Sequence, residues 1–189
     1  MRIVAGTFRG RQLVAPKGQS TRPTADRTRQ ALYNVLEHAP WTIALQGKRI
    51  IDAFAGSGAL GLEAISRGAT SCLFFDHGAA ARDAIGANIE ALKLADRTRI
   101  DRRDPTTLSA RSNGDGAPFD LVFLDPPYGQ GLGEAALMRL ASGGWLAETA
   151  LAVLERGVAD PAPTPAGFQL LDERTWGAAR VSFLSQRAP

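Results

Sequence analysis

Arg49-Ile50-Ile51-Asp52-Ala53-Phe54-Ala55-Gly56-Ser57-Gly58-Ala59-Leu60-Gly61-Leu62-Glu63-Ala64 decides the architecture. A short apolar run that ends in an acid reads as a buried strand. Gly56, Gly58 and Gly61 satisfy G-x-G-x-x-G, a spacing that permits a tight turn and lets backbone approach a ligand closely. The residues from Ala59 onward favour a helix. The stretch is therefore strand, glycine turn, helix. Asp76 stands twenty residues beyond Gly56, at the end of the next apolar run. A carboxylate at that distance can accept both hydroxyl protons of a ribose.

The same rhythm continues outward. Strands are predicted at 49–53, 71–75, 98–102, 120–124 and 150–154, and helices at 59–66, 79–94 and 133–141. Alternation of this kind predicts an α/β fold around a mainly parallel sheet with right-handed crossovers. The last two strands, 168–174 and 180–184, are joined by only five residues. So short a link requires an antiparallel pair, and the sheet is expected to be mixed. At the other end, 2–5 and 10–14 read as a hairpin, followed by a polar loop and a helix from Thr24 to His38. Thr24 is positioned to cap it, and Leu32, Val35 and Leu36 share one face. Residues 1–40 thus form a small appendage and 41–189 the body.

The 189 residues carry a net charge of +3, unevenly placed. Residues 1–29 hold seven basic side chains against the single acid Asp26, leaving the rest of the chain acidic. A basic extension on an acidic body points to a polyanionic partner. No apolar run is long enough to cross a membrane and no secretion signal is visible, so a cytoplasmic protein is expected. One cysteine and two histidines argue against a structural zinc site, and Cys72 reads as a small core residue. Nothing in the sequence demands more than a monomer.

Asp52 bears on which nucleotide the glycine turn holds. An acid four residues before Gly56 repels a pyrophosphate but suits an ammonium, and S-adenosylmethionine carries one. The candidate cofactor residues are Asp52, Phe54, Gly56, Ser57, Gly58, Asp76 and Asp104. Asp104 stands where it can accept from an adenine amino group, or cap a helix before Pro105. The most specific feature is Leu121-Val122-Phe123-Leu124-Asp125-Pro126-Pro127-Tyr128, an apolar strand that ends in Asp-Pro-Pro-Tyr. Ligands of doubly wound sheets bind at the carboxyl ends of the strands. The Asp125 carboxylate and the Pro126 carbonyl can accept both protons of an exocyclic base amine, localising its lone pair. Tyr128 can stack on the base, and Pro127 stiffens the loop. A base inside a helix has to be unstacked to reach such a site.

These residues bring a resemblance into view. The DxFxGSGxLGLEA stretch at 52–64, the DPPY at 125–128 and the opening RIVAGTFRGRQL…RPTADRTRQALYNVL resemble the bacterial 16S ribosomal RNA guanine-N2 methyltransferases of the RsmD type. The resemblance covers nearly the whole chain. It implies a Rossmann-like, seven-stranded sheet with S-adenosylmethionine as donor. It implies a guanine amine of 16S rRNA as acceptor, within the 30S subunit or an assembly intermediate. Asp52 and the glycines then hold the methionine part, Asp76 the ribose, and Asp104 the adenine side. Asp125, Pro126 and Tyr128 grip the base. Family members often have glutamate at the ribose position and a second acid two residues on; here Asp76 and Gly78 stand there, with His77 between. Arg9, Arg11, Arg22, Arg27 and Arg29 are expected to meet phosphates, with Arg22 and Arg27 alternatively bracing the arm. Two other activities share parts of the pattern. A DNA adenine-N6 methyltransferase would use the same DPPY chemistry, but no sizeable DNA-recognition domain is visible. An NAD-dependent oxidoreductase would share the glycine turn, but Asp52 and the DPPY loop oppose it.

Overall fold

The central strands of the body are apolar on both faces, and that requires helices above and below the sheet. The computed structural model describes residues 1–16, 23–163 and 165–186. Seven strands form one sheet: β1 (Arg49–Ala53), β2 (Ser71–Phe75), β3 (Thr98–Asp101), β4 (Phe119–Leu124), β5 (Leu146–Gly157), β6 (Phe168–Trp176) and β7 (Ala179–Gln186). Their order is β3-β2-β1-β4-β5-β7-β6. The pairs β1·β2, β1·β4, β2·β3 and β4·β5 are parallel, and β7 runs antiparallel to both β5 and β6. The predicted mixed sheet is therefore what forms.

Among the described residues four α-helices cover it: α1 (Pro23–His38), α2 (Ala59–Ser66), α3 (Ala79–Leu92) and α4 (Leu132–Ser142). Because side chains alternate along a strand, β1 sends Ile50 to one face and Ile51 and Ala53 to the other. Ile50, Phe74 and Phe123 join a cluster with Tyr33 and Leu36 of α1, Leu62 and Ile65 of α2, and Ile85 and Ile89 of α3. Ile51, Phe75 and Leu124 join Leu137 and Leu140 of α4 and the buried Trp145 on the opposite face. Each fully buried side chain of this size contributes about 1.5–3 kcal/mol. Asp52, in phase with Ile50, is carried to the α2 face.

The order reverses between β1 and β4, since the chain leaves β1 toward β2 and β3 and returns to β4 on its other side. That switch opens a crevice at the carboxyl ends of these two strands. Ala53 pairs with Leu124 there, so the glycine turn and the Asp-Pro-Pro-Tyr loop leave the sheet side by side.

The amino-terminal arm forms the predicted hairpin in short form: Arg2 bridges Gln12 antiparallel, Ile3 N–H donates to the Arg11 carbonyl at 2.9 Å, Gly10 N–H to the Ile3 carbonyl at 2.8 Å and Leu13 N–H to the Met1 carbonyl at 3.0 Å. The donors between turn to the body: Thr7 N–H donates to the Ser66 carbonyl at 2.8 Å, and Val4 and Ala5 N–H donate to Glu63 at 2.8 and 2.9 Å. α1 begins at Pro23, so Thr24 falls inside its first turn and not at the position before the helix. Ile3, Leu13 and Tyr33 share the cluster that contains Ile50 and Phe74. α3 stops at Leu92, two residues early, because Lys93 adopts φ 56° and closes the helix. β5 starts at Leu146, ahead of the predicted 150; Glu148 and Thr149 are exposed there and hide the strand from an apolar pattern.

Candidate active site

Asp52 ends on the α2 side of the turn, almost fully buried, and its Oδ2 accepts the Gly61 N–H at 2.8 Å. It thereby ties the start of α2 to β1. Burial pushes its carboxyl up to about 8; the Gly61 N–H opposes the shift, and the charges of Asp125 and Asp76 add to it. The turn itself is built from left-handed backbone. Gly56 and Gly58 have φ of 58° and 76°. Phe54, at φ 61°, holds a conformation that non-glycine residues rarely adopt and that marks functional turns. A Cβ at Gly56 would meet no atom within 4 Å, so the turn faces open space. At Gly61 a Cβ would come within 2.4 Å of Cys72 Sγ, so this third glycine serves the packing of α2 on β2. Cys72 is the buried core residue expected. Ser57 is buried at the turn, where its carbonyl accepts from Asn88 at 2.9 Å.

Asp76 sits at the tip of β2. Its Oδ2 accepts the Gly56 N–H at 2.9 Å and its Oδ1 the Gly78 N–H at 2.8 Å. It orders the glycine turn directly, and each oxygen keeps a lone pair for a further donor. His77 beside it is exposed and offers its carbonyl to Arg82. Asp104 caps a short 3-10 turn through Thr106 N–H at 2.8 Å, which is the capping role foreseen for it before Pro105. The acid at the end of β3 is Asp101, paired with Arg103 and held below its usual range despite burial.

Asp125 follows β4, and its N–H lies 3.5 Å from the Ala53 carbonyl. Its side chain is open to solvent at the mouth of the crevice. Its carboxyl is nonetheless raised, first by desolvation from the surrounding protein and then by the negative charge of Glu155. Among the described residues no basic side chain forms an ion pair with Asp52, Asp76 or Asp125. Pro126 is buried, whereas Pro127 and Tyr128 are exposed, and the Tyr128 hydroxyl donates to Glu155 at 2.5 Å. A cleft of about 190 Å³ flanks this loop, lined by Pro127, Tyr128, Leu132, Leu154, Glu155 and Pro161 among others.

The arm separates its arginines into two kinds. Arg9, Arg11 and Arg27 are exposed. Arg2, Arg9 and Arg27 line a hollow of about 290 Å³ with Asp26 and Gln30. Arg29 is not available to phosphates: it is buried, pairs with Asp26 at 2.8 Å and lies 3.6 Å from Glu63. The bracing foreseen for Arg22 and Arg27 is performed by Arg29, while Arg22 lies outside the described residues. Sequence reasoning missed Glu63, Asn88, Glu155 and Asp160. Glu63 and Asn88 interrupt the apolar faces of α2 and α3, and a polar residue in phase with a buried face was the available signal. Glu155 stands at a strand's carboxyl end, where ligands of such sheets gather.

Residues 1–185 match the family model described as "Conserved hypothetical protein 95". The chain is 38% identical to ribosomal RNA small subunit methyltransferase D of Escherichia coli (strain K12), covering 100% of this chain and 91% of that protein. The protein of the same name from Haemophilus influenzae is 34% identical, over 94% and 89%. The solved structure of yhhF from Escherichia coli superposes with a TM-score of 0.84 at 36% identity, covering 100% of this chain and 99% of the other. The chain therefore belongs to the conserved hypothetical protein 95 family, and its sheet is that of the Rossmann-like, RsmD-type methyltransferases.

Proposed function

We propose that the chain is a small-subunit ribosomal RNA methyltransferase that moves a methyl group from S-adenosylmethionine to the exocyclic N2 amine of a guanine in 16S rRNA. The observation that carries this reading is the ring of acids at the crevice. Three carboxylates from the tips of β1, β2 and β4 converge with no cation paired to them among the described residues. Such a site suits a ligand bearing a sulfonium and an ammonium and repels a pyrophosphate, which argues against a nicotinamide cofactor. Asp52, the Phe54–Gly58 turn and Asp76 would hold the donor's methionine and ribose, and Asp104 its adenine through the oxygen not engaged as a cap. When bound, the donor supplies an electrophilic methyl.

The chain's own residues do the rest. Asp125 and the Pro126 carbonyl accept the two N–H groups of the amine and fix its lone pair toward the crevice. Tyr128 and Pro127 carry the base. Asp125, with its raised proton affinity, takes the surplus amine proton. Pre-orientation of this kind supplies roughly 7–11 kcal/mol of such a barrier. Within this reading residues 1–40 are the RNA-contacting appendage and 41–189 the catalytic domain, working as a cytoplasmic monomer on the 30S subunit or its precursor. No described helix is long and apolar enough to cross a membrane. The DNA adenine alternative loses ground because the described body carries only the small arm.

The test is mass mapping of methylated nucleosides in small subunits incubated with the chain and labelled donor. One N2-methylguanosine in 16S rRNA is expected. Asp125→Ala should lower kcat by roughly 10²–10³-fold, by analogy with losing one preorganised polar group, with donor affinity nearly unchanged. Label in adenine, or an equally active variant, overturns the reading.

A further inference from the structure

The carboxyl end of β5 holds groups that the transfer reading leaves unused. Glu155 is half-buried beside the Asp-Pro-Pro-Tyr loop and accepts the Tyr128 hydroxyl at 2.5 Å. Asp160, five residues on, accepts from Gly129 N–H at 3.2 Å and Gly157 N–H at 3.0 Å, stapling the loop to the strand exit. A Cβ at Gly157 would lie 3.2 Å from Tyr128 Cδ2, so bare backbone packs against the ring. Between them the buried Arg156 donates to the Asp160 carbonyl at 2.9 Å and pairs with Glu173 of β6. Tyr128 still leaves 43% of its surface exposed. The ring is therefore anchored by its hydroxyl and one edge while much of it stays open to a ligand.

We propose that Glu155 is a positioning residue for methyl transfer, fixing the Tyr128 ring as the platform on which the acceptor base stacks, with Asp160 and Gly157 holding the loop behind it. This rests on Asp125–Tyr128 being the base site. A carboxylate suits the task because a charged acceptor binds a phenol more tightly than a neutral one. Its charge has a second consequence. The titratable groups around Asp125 are Asp52 from β1, Glu155 from β5 and Tyr128 from its own loop, with Asp160 behind Tyr128. Glu155 is the charge that raises the proton affinity of Asp125, after desolvation. The phenol of Tyr128 is likewise held well up, by burial first and Glu155 next.

The test compares Glu155→Ala, Glu155→Gln, Tyr128→Phe and the Glu155→Ala/Tyr128→Phe double variant with the wild type on isolated small subunits. Glu155→Ala and Tyr128→Phe should each lower kcat/KM by about tenfold, as a misplaced platform does. The double variant should be no worse than either, since both remove one contact. S-adenosylmethionine affinity and the thermal midpoint should stay at wild-type values. Glu155→Gln keeps an acceptor and removes the charge. It should retain most of the activity at neutral pH while the acid limb of the pH profile moves to lower pH, because Asp125 must be ionised to accept.

Carbon-13 labelling of the two tyrosine rings gives a readout without RNA: the Tyr128 phenol should titrate at lower pH in Glu155→Gln. Wild-type activity in Glu155→Ala, strictly additive losses, or an unmoved pH limb and tyrosine titration would each overturn the proposal. A wild-type chain that transfers no methyl would sink the function instead, and the tyrosine titration would still decide whether Glu155 holds the ring.

Discussion

The crevice and the arm treat charge in opposite ways. At the strand tips, Asp52 and Asp76 accept backbone N–H groups, and neither they nor the neighbouring Asp125 form an ion pair among the described residues. Where the arm docks on α2, acids and arginines are knitted together: Glu63, fully buried, accepts from Val4, Ala5 and Arg67 and faces Arg29, while Arg67 reaches Glu37 at 2.9 Å. Paired charge builds structure, and unpaired charge of one sign awaits a ligand of the other. The difference separates residues that hold the molecule together from those that act, where residue type alone does not.

The sharpest way to break that contrast is Glu63→Ala. Removing the acid leaves the buried Arg29 and Arg67 with only Asp26 and Glu37 as counter-charges and strands two backbone donors. Truncating one side of a buried pair costs about 3–5 kcal/mol, and chemical denaturation should read a loss of that size. A loss under 1 kcal/mol would mean that the arm is held by its apolar contacts alone. Glycines repeat the comparison at smaller scale. Gly6, at φ 76°, stands where a Cβ would fall 1.9 Å from the Ser66 carbonyl oxygen. Gly6→Ala should therefore cost about 3 kcal/mol through forced separation of arm and α2. Gly56→Ala meets open space and should cost only about 1 kcal/mol, for its left-handed backbone, while cofactor affinity falls more than stability does. Equal stability losses at the two sites would remove the distinction between docked and ligand-facing turns.

The sequence made some of this legible and hid the rest for physical reasons. β1, α2 and β2 fall on the predicted residues, because their apolar runs are bounded by glycine or charge. The neighbourhood of Asp125 and the glycine turn followed from one rule, that ligands gather at strand ends where the order reverses. What stayed hidden depends on tertiary partners. The arm's alternating pattern showed the hairpin, but not that the donors of Val4, Ala5 and Phe8 go to Glu63 and Ser66, fifty-eight or more residues away. Arg29 and Arg27 are two positions apart, and only the helical turn decides that one faces Glu63 and the other solvent. Asp104 had two readings open, and the cap is the one seen. Glu155 carried no motif, since its meaning lies in a hydroxyl twenty-seven residues upstream.

The smallest effect belongs to the exposed side of the arm. Arg9 and Arg11 make no ion pair among the described residues and extend into solvent, so Arg9→Ala with Arg11→Ala should leave stability within about 0.5 kcal/mol. Their charge matters only when a polyanion arrives. Each phosphate neutralised on RNA releases counterions, so log affinity falls with log salt by about 0.7 per contact for single strands. The double variant should therefore bind small-subunit RNA several-fold more weakly at low salt, converge on the wild type at high salt, and show a slope shallower by roughly 1–2. Binding measured across a salt series checks this. An unchanged slope would assign the two arginines to solvation, and the RNA would then have to meet Arg2 and Arg27 at the hollow beside α1 instead.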